Sequence, residues 1–248
     1  MLRRSQKSLD LPEKTDHKVY LNFDDDEQII YRTAKEKTLR SINNLINSTK
    51  SKESYLNALQ KINALRLICN LGTPTIMNHE ILPQALQSCP TSSYEKCIVF
   101  SSWKSTLDLA RSSLREHGIR CVQVDGRVKP KQREQIFHDF THHEDVRVLL
   151  LSLACGSSGL TLTAASRVYL MEPQWNPSTE EQAMARVYRI GQTRNVTTIR
   201  YIMNNSIEMH VLAIQNGKKD LITLLLSGTV STSKKLTKQR LMELKELL

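Results

Sequence analysis

The sequence predicts an α/β domain built on a doubly wound, mostly parallel sheet over roughly residues 95–205. Two observations carry that prediction. From Cys97 onward, short apolar runs recur, several of them reading as strands buried on both faces. Between them lie stretches of helical periodicity, punctuated by proline at one start and glycine past one end.

Upstream of that domain, roughly residues 1–57 are polar and read as a helical N-terminal region. The acidic cluster Asp24-Asp25-Asp26-Glu27 reads as a solvated helix start, and a helix is expected from Ile29 to Ile46. Roughly residues 58–94 form a linker: an amphipathic helix carrying Leu59, Ile62, Leu65, Leu67 and Ile68, then the turn-rich Asn70-Leu71-Gly72-Thr73-Pro74. The expected strands are Ile98–Phe100, Cys121–Val124, Val146–Leu151, Val168–Leu170 and Val196–Ile202. One intervening helix carries Leu107, Ala110 and Leu114 and ends at His117-Gly118, where glycine suits the C-terminal cap. Another starts at Pro130 and carries Ile136, Phe137 and Phe140. A third starts at Ser178-Thr179-Glu180-Glu181, which has the form of a capping box. A C-terminal helical extension, roughly residues 206–248, runs as one helix from Ser206 to Leu226 and an amphipathic piece from Leu236 to Leu248.

Composition narrows the function classes. The chain has 248 residues, 40% hydrophobic and 24% charged, enough to bury a sizeable core. No apolar run approaches the roughly 18 residues of a membrane span, and no apolar segment follows the basic Met1–Lys7, so neither a membrane role nor a secretory signal is expected. Five cysteines with no C-x-x-C pair argue against a disulfide framework and against zinc, and fit a reducing compartment. A net charge of +10 points to a polyanionic partner, although basic tails account for part of the excess.

The segment from Glu180 to Arg194 is the most informative. At about 100° per residue, Gln182, Arg186 and Arg189 share one helical face, and Ala183, Val187 and Ile190 form a stripe able to dock on a core. Two fixed guanidiniums suit a site that handles phosphate, because arginine keeps its charge and offers forked donors. A solvated basic face is the plainer alternative. At carboxyl ends of strands, where open α/β sheets bind ligands, stand Ser101-Ser102-Trp103-Lys104, the run Ser152–Leu160 with two glycines, and Glu172–Pro177. Trp175 in the last of these reads as a packing residue ahead of a base-stacking platform.

No G-x-x-x-x-G-K-[ST] phosphate loop occurs, no acidic pair follows a strand as Mg²⁺ binding needs, and no metal site is expected. No Ser/His/Asp or Cys/His constellation stands out. The chain reads as half of a nucleotide site.

These motifs resemble a known family. Gly159-Leu160-Thr161-Leu162-Thr163-Ala164-Ala165, Glu172-Pro173-Gln174-Trp175-Asn176-Pro177 and Gln182–Thr193 are similar to motifs V and VI of Swi/Snf-type DNA translocases in helicase superfamily two. Ile98–Trp103 resembles motif IV, and Asp125-Gly126 with Arg133 and Phe140 resembles the element that follows it. Met1–Arg4 with Leu11–Lys14 resembles the stretch closing the first motor lobe, and Leu65–Asn70 the segment before the second. The resemblance is nearest to the fungal repair-type branch. Asn70–Cys97 is too short, and lacks the ligand spacing, for a RING insertion.

The resemblance implies a RecA-like second lobe, part of a DNA-dependent ATPase with ATP in the cleft between two lobes and double-stranded DNA across both. Residues 1–57 would then be the end of the first lobe. ATP and Mg²⁺ would be held mainly by that first lobe, which carries the phosphate loop and acidic motif. Arg186 and Arg189 would be arginine fingers, Gln182 would set their network, and Gly159 and Leu160 would lie on the nucleotide side. Ser101, Ser102, Lys104, Gly156, Ser157 and Ser158 would contact the DNA backbone. The setting implied is the nucleus, in chromatin remodelling on nucleosomes or in DNA repair, with the chain inactive as an ATPase by itself. A non-catalytic DNA-binding or regulatory fragment is the alternative.

Overall fold

The computed structural model describes residues 11–47, 52–71, 95–156 and 160–226. The elements run β1 (Lys14–Leu21), α1 (Asp25–Asn47), α2 (Lys52–Leu71), β2 (Lys96–Ser101), α3 (Lys104–Glu116), β3 (Cys121–Val124), α4 (Pro130–His142), β4 (Val148–Ser152), α5 (Leu153–Gly156), β5 (Ala165–Leu170), α6 (Pro177–Val187), β6 (Val196–Met203) and α7 (Ile207–Leu226). The expected amphipathic piece at Leu236–Leu248 lies outside the described residues.

Six strands form one sheet in the order β1-β6-β5-β2-β4-β3. Four neighbouring pairs, β2–β4, β2–β5, β3–β4 and β5–β6, are parallel. β1 joins in the same sense, because Val196 N–H donates to Glu13 and Asn204 N–H to Leu21 as both strands advance. β2 and β4 are buried along their whole length, so neither shows the alternation of a strand with one wet face.

Residues 14–21 depart from the sequence expectation of a helical N-terminal region. The segment KTDHKVYL is exposed along nearly all of its length, so no apolar alternation marks it as a strand. Pairing with the edge of β6 makes it one, and that pairing is non-local.

The chain divides into two compact units. The α/β unit takes residues 1–19, 78–172 and 176–201. Its core is filled by Ile98 and Phe100 of β2, Leu149 and Leu151 of β4, Val168 and Leu170 of β5, Phe140 of α4, and Ala183, Met184 and Val187 of α6. Lys96, at the start of β2, turns its ammonium onto the Phe140, Thr141 and His143 carbonyls at the end of α4. A cation there complements the negative end of the helix dipole and satisfies carbonyls left without intrahelical donors.

The helical unit takes residues 20–77, 173–175 and 202–248. Its core joins Tyr31 and Ile42 of α1, Ile62, Leu65 and Cys69 of α2, and Ile207 of α7. α1 opens with a capping box in which Glu27 N–H donates to Asp24 Oδ1 at 2.7 Å and Asp24 N–H to Glu27 Oε2 at 3.1 Å. The Tyr31 hydroxyl accepts the Ile207 N–H at the start of α7, stacks its ring on Phe23, and is held protonated far above the ordinary tyrosine range by burial.

Candidate functional site

A parallel sheet gathers every strand's carboxyl end at one edge. Here Phe100, Leu151 and Leu170 lie level on β2, β4 and β5, one residue short of the ends of β2 and β4. The chain leaves β2 toward β3 on one side, and leaves β5 toward β6 on the other. β2 and β5 are neighbours, so the topological switch point lies between them, where doubly wound sheets open a ligand crevice.

Glu172, two residues past β5, spans that point. It is 1% exposed, and its carboxylate accepts the Ser102 N–H at 2.5 Å and the Ser101 hydroxyl at 3.0 Å. Ser101 is fully buried, and its Oγ also accepts the Trp103 N–H at 3.0 Å. Of the residues expected at a nucleic-acid backbone, Ser101 is therefore an internal post. Its hydroxyl finishes a buried carboxylate, because the last residue of β2 still faces the core. Ser102 and Lys104 stand exposed at the start of α3. Gly156 closes α5 directly after β4, while Ser157, Ser158 and Gly159 lie outside the described residues. Glu172 was missed as a site residue, and its signal was a carboxylate directly after an apolar strand and before a proline.

The arginine segment differs from its sequence reading in two ways. α6 starts two residues earlier than the Ser178 box implies: Asn176 is the N-cap, its Oδ1 accepting the Ser178 N–H at 3.3 Å, with Pro177 in the first turn. It also ends sooner. Tyr188, with φ −90° and ψ 86°, leaves the helix, so Val187 is its last residue. Gln182 and Arg186 keep their shared face, one exposed and one partly buried, whereas Arg189 lies beyond the helix. Ile190, expected on the docking stripe, is 70% exposed for the same reason.

What stops the helix is a set of competing donors. The Arg186 carbonyl accepts the Leu162 N–H at 2.9 Å, and the Val187 carbonyl accepts the Gln192 side-chain amide at 3.2 Å. Carbonyls of the last turn have no intrahelical donor, so these external ones fix the end. Gln192 is 5% exposed and uses both ends of its amide. Its Nε2 also donates to Ala165 at 2.9 Å, and its Oε1 accepts the Thr193 and Arg194 N–H groups at 3.0 Å each. Gly191 turns the chain at φ +98°, a conformation that side chains rarely adopt. The turn thus built carries Arg189, whose Nη1 donates to the Leu160 carbonyl at 3.2 Å. Arg186 and Arg189 are both tied to the segment 160–162, one through its backbone and one through its guanidinium. Beneath α6, buried Glu180 pairs with Arg200 of β6.

A second polar cluster follows β3. Asp125 Oδ1 accepts both the N–H and Nε of Arg127 at 2.9 Å, and Asp108 of α3 accepts its Nη2 at 2.7 Å. Gln123 bridges the two carboxylates at 2.8 and 3.0 Å. The Arg127 side-chain hydrogen bond is the main cause holding the Asp125 carboxyl well below the usual carboxylate range. Arg133 Nε donates to the Val128 carbonyl at 2.9 Å and closes the same turn, which gives the Asp-Gly…Arg spacing its structural meaning.

In the helical unit, Arg66 of α2 donates from Nη2 to the Pro173 carbonyl at 2.8 Å and lies 5.5 Å from the centre of the Trp175 ring. Gln215 of α7 donates to the Gln174 carbonyl. Trp175 packs on the helical core, as the sequence favoured.

Comparison with known proteins places this geometry. Residues 78–191 match the family described as helicase conserved C-terminal domain. The DNA repair protein RAD5B of Arabidopsis thaliana is 41% identical over 157 residues, 63% of this chain and 12% of that protein. The DNA repair protein RAD5 of Kluyveromyces lactis is 43% identical over 138 residues, 53% of this chain and 12% of its own length. The chain thus spans about an eighth of these two relatives. The Sulfolobus solfataricus SWI2/SNF2 ATPase core in complex with dsDNA matches 98% of this chain and 53% of its own, with a TM-score of 0.69 and 24% identity. The Sulfolobus solfataricus SWI2/SNF2 ATPase C-terminal domain matches 95% of this chain and all of its own, with a TM-score of 0.68 and 17% identity. The likeness to these two structures is one of fold: a parallel six-stranded sheet of the RecA-like kind flanked by helices.

Proposed function

We propose, on the premise that residues 78–191 form a helicase conserved C-terminal domain of the Swi2/Snf2 kind, that this chain is the second motor lobe of an ATP-dependent DNA translocase. The observation that carries the proposal is the joint anchoring of Arg186 and Arg189 on the segment 160–162. A donor-only pair of guanidiniums, one presented from a helix end and one from a turn braced by Gln192, fits a γ-phosphoryl group brought by another lobe. When bound, ATP with Mg²⁺ supplies the phosphoryl group to be transferred. Arg186 and Arg189 stabilise the charge that spreads over its oxygens, and Gln182 lies on the same face as Arg186.

On the opposite task, the exposed Ser102 and Lys104 at the switch point face the backbone of duplex DNA. Their contact is with phosphates, so binding is sequence-independent and weakens with salt. The relatives named as DNA repair proteins support a repair setting in the nucleus, and nucleosomal DNA is an equally suitable duplex for such contacts.

The test is reconstitution. The purified chain alone is expected to show no DNA-stimulated ATP hydrolysis. Mixed with a first lobe carrying a phosphate loop, it hydrolyses ATP, and Arg189→Ala abolishes that turnover. Hydrolysis by the chain alone, or turnover indifferent to Arg189, overturns the proposal. Salt-dependent duplex binding without any rescue by a first lobe favours the non-catalytic DNA-binding reading.

A further inference from the structure

The connection from β5 to α6 is only six residues, Met171–Asn176, yet three of them belong to the helical unit. The chain leaves the α/β unit after Glu172, passes through the helical unit as Pro173–Trp175, and returns at Asn176. Five successive residues are fixed by named contacts. Glu172 holds the Ser102 amide, Arg66 holds the Pro173 carbonyl, and Gln215 holds the Gln174 carbonyl. Trp175 packs in the helical core with the Arg66 guanidinium 5.5 Å from its ring centre, and Asn176 caps α6.

Arg66 is 5% exposed. Taking a guanidinium out of water is costly, and a surface site on α2 would avoid that cost. In this loop it touches both a carbonyl, Pro173 at 2.8 Å from Nη2, and an aromatic face, the Trp175 ring. A lysine is a point charge on a flexible stem and cannot make both contacts with one rigid head.

We infer that Arg66 is a positioning residue for the Glu172–Asn176 loop, and through it for the Ser102 amide at one end and the α6 start at the other. This rests on the reading of Ser102 and Lys104 as DNA-backbone contacts. Arg66 itself is buried within the helical unit.

The experiment compares Arg66→Lys with Leu65→Ala in the full chain. Leu65 is the fully buried neighbour on α2, and its truncation destabilises the helical unit without removing a hydrogen bond to the loop. Three readouts are taken below the melting temperature of both variants: duplex affinity, its dependence on salt, and amide hydrogen exchange. Arg66→Lys is expected to speed exchange at residues 172–176 and leave α2 protected. It weakens duplex binding about fivefold, the worth of one hydrogen bond, at an unchanged salt slope. Leu65→Ala is expected to lower the melting temperature and leave affinity unchanged.

Equal loss of affinity in both variants overturns the inference in favour of a merely structural Arg66. A salt slope lowered by about one phosphate, with exchange at 172–176 unchanged, overturns it in favour of direct contact. Unchanged affinity in Arg66→Lys overturns it while leaving the DNA reading in place. Failure of the unmodified chain to bind duplex at all removes the DNA reading, and the inference with it.

Discussion

The Glu172 carboxylate, just past β5, accepts the backbone N–H of Ser102, just past β2, at 2.5 Å across the switch point of the sheet. A buried carboxylate that accepts an amide and a hydroxyl ties together two loops that the sequence separates by 70 residues. Glu172→Ala removes the carboxylate acceptor of the Ser102 N–H and one of two acceptors of the Ser101 hydroxyl. It is expected to cost about 1.5–3 kcal/mol, the range for hydrogen bonds to a charged group, read as a lower urea midpoint at unchanged m-value.

Gln192 and Gly191 define the turn that carries Arg189. Gln192→Ala removes four hydrogen bonds made by one buried side chain, and an expected loss of about 2–4 kcal/mol follows from the unmatched backbone groups. Gly191→Ala meets no atom within 4 Å, so its cost is conformational, about 1–2 kcal/mol. Thermal unfolding of the two variants checks both, and a neutral Gly191→Ala would show that the turn tolerates another conformation.

Acid unfolding reports the Asp125–Arg127 pair. The folded Asp125 carboxyl titrates below its unfolded value, and the Arg127 hydrogen bond is the largest cause. A depressed carboxylate contributes stability that is fully present above the unfolded pKa of about 3.9 and is lost as pH falls through the folded one. Stability should therefore decline below about pH 4, and Asp125→Asn should flatten that decline. Urea titrations from neutral pH to about pH 2.5 measure the slope.

Arg189 tests the nucleotide side. In the reconstituted system Arg189→Ala should lower kcat by about 10³–10⁵, the range for arginine fingers. Arg189→Lys keeps a charge but loses the fork, and should recover only a small part of that loss. Both variants should melt close to the unmodified chain, because the side chain is only partly buried and makes one carbonyl contact of 3.2 Å.

The switch-point loop separates contact from support. Lys104→Gln should lower the slope of log affinity against log salt by about 0.9, one phosphate's worth, without altering stability. Ser101→Ala should do the reverse, costing about 1 kcal/mol of stability through Glu172 while keeping the salt slope. Fluorescence anisotropy at several salt concentrations distinguishes them.

Much of the α/β unit was legible in the amino acids. The runs at Ile98–Phe100 and Val148–Leu151 became strands because a segment apolar on both faces can only be satisfied in the middle of a layered sheet. The helix ends at Gly118, φ +70°, and Pro130 were legible because backbone chemistry sets them locally. Residues 14–21 were not, since their strand exists only through pairing with β6. Ile190 and Arg189 were misplaced on a helical face for a related reason. Periodicity counts residues, whereas the helix ends where the Leu162 amide and the Gln192 side chain claim its last carbonyls.

By itself, then, the sequence determined the layered α/β class and the order of strands and helices from Lys96 to Leu226, the short α5 excepted, because propensity, capping and hydrophobic period act over a few residues. Tertiary structure alone decided that Ser101 faces a buried carboxylate, that Gln192 ends the arginine helix, and that Arg66 grips the loop after Glu172. Each of those depends on partners 5 to 107 residues away that only the closed sheet and the packed helices bring within hydrogen-bonding distance.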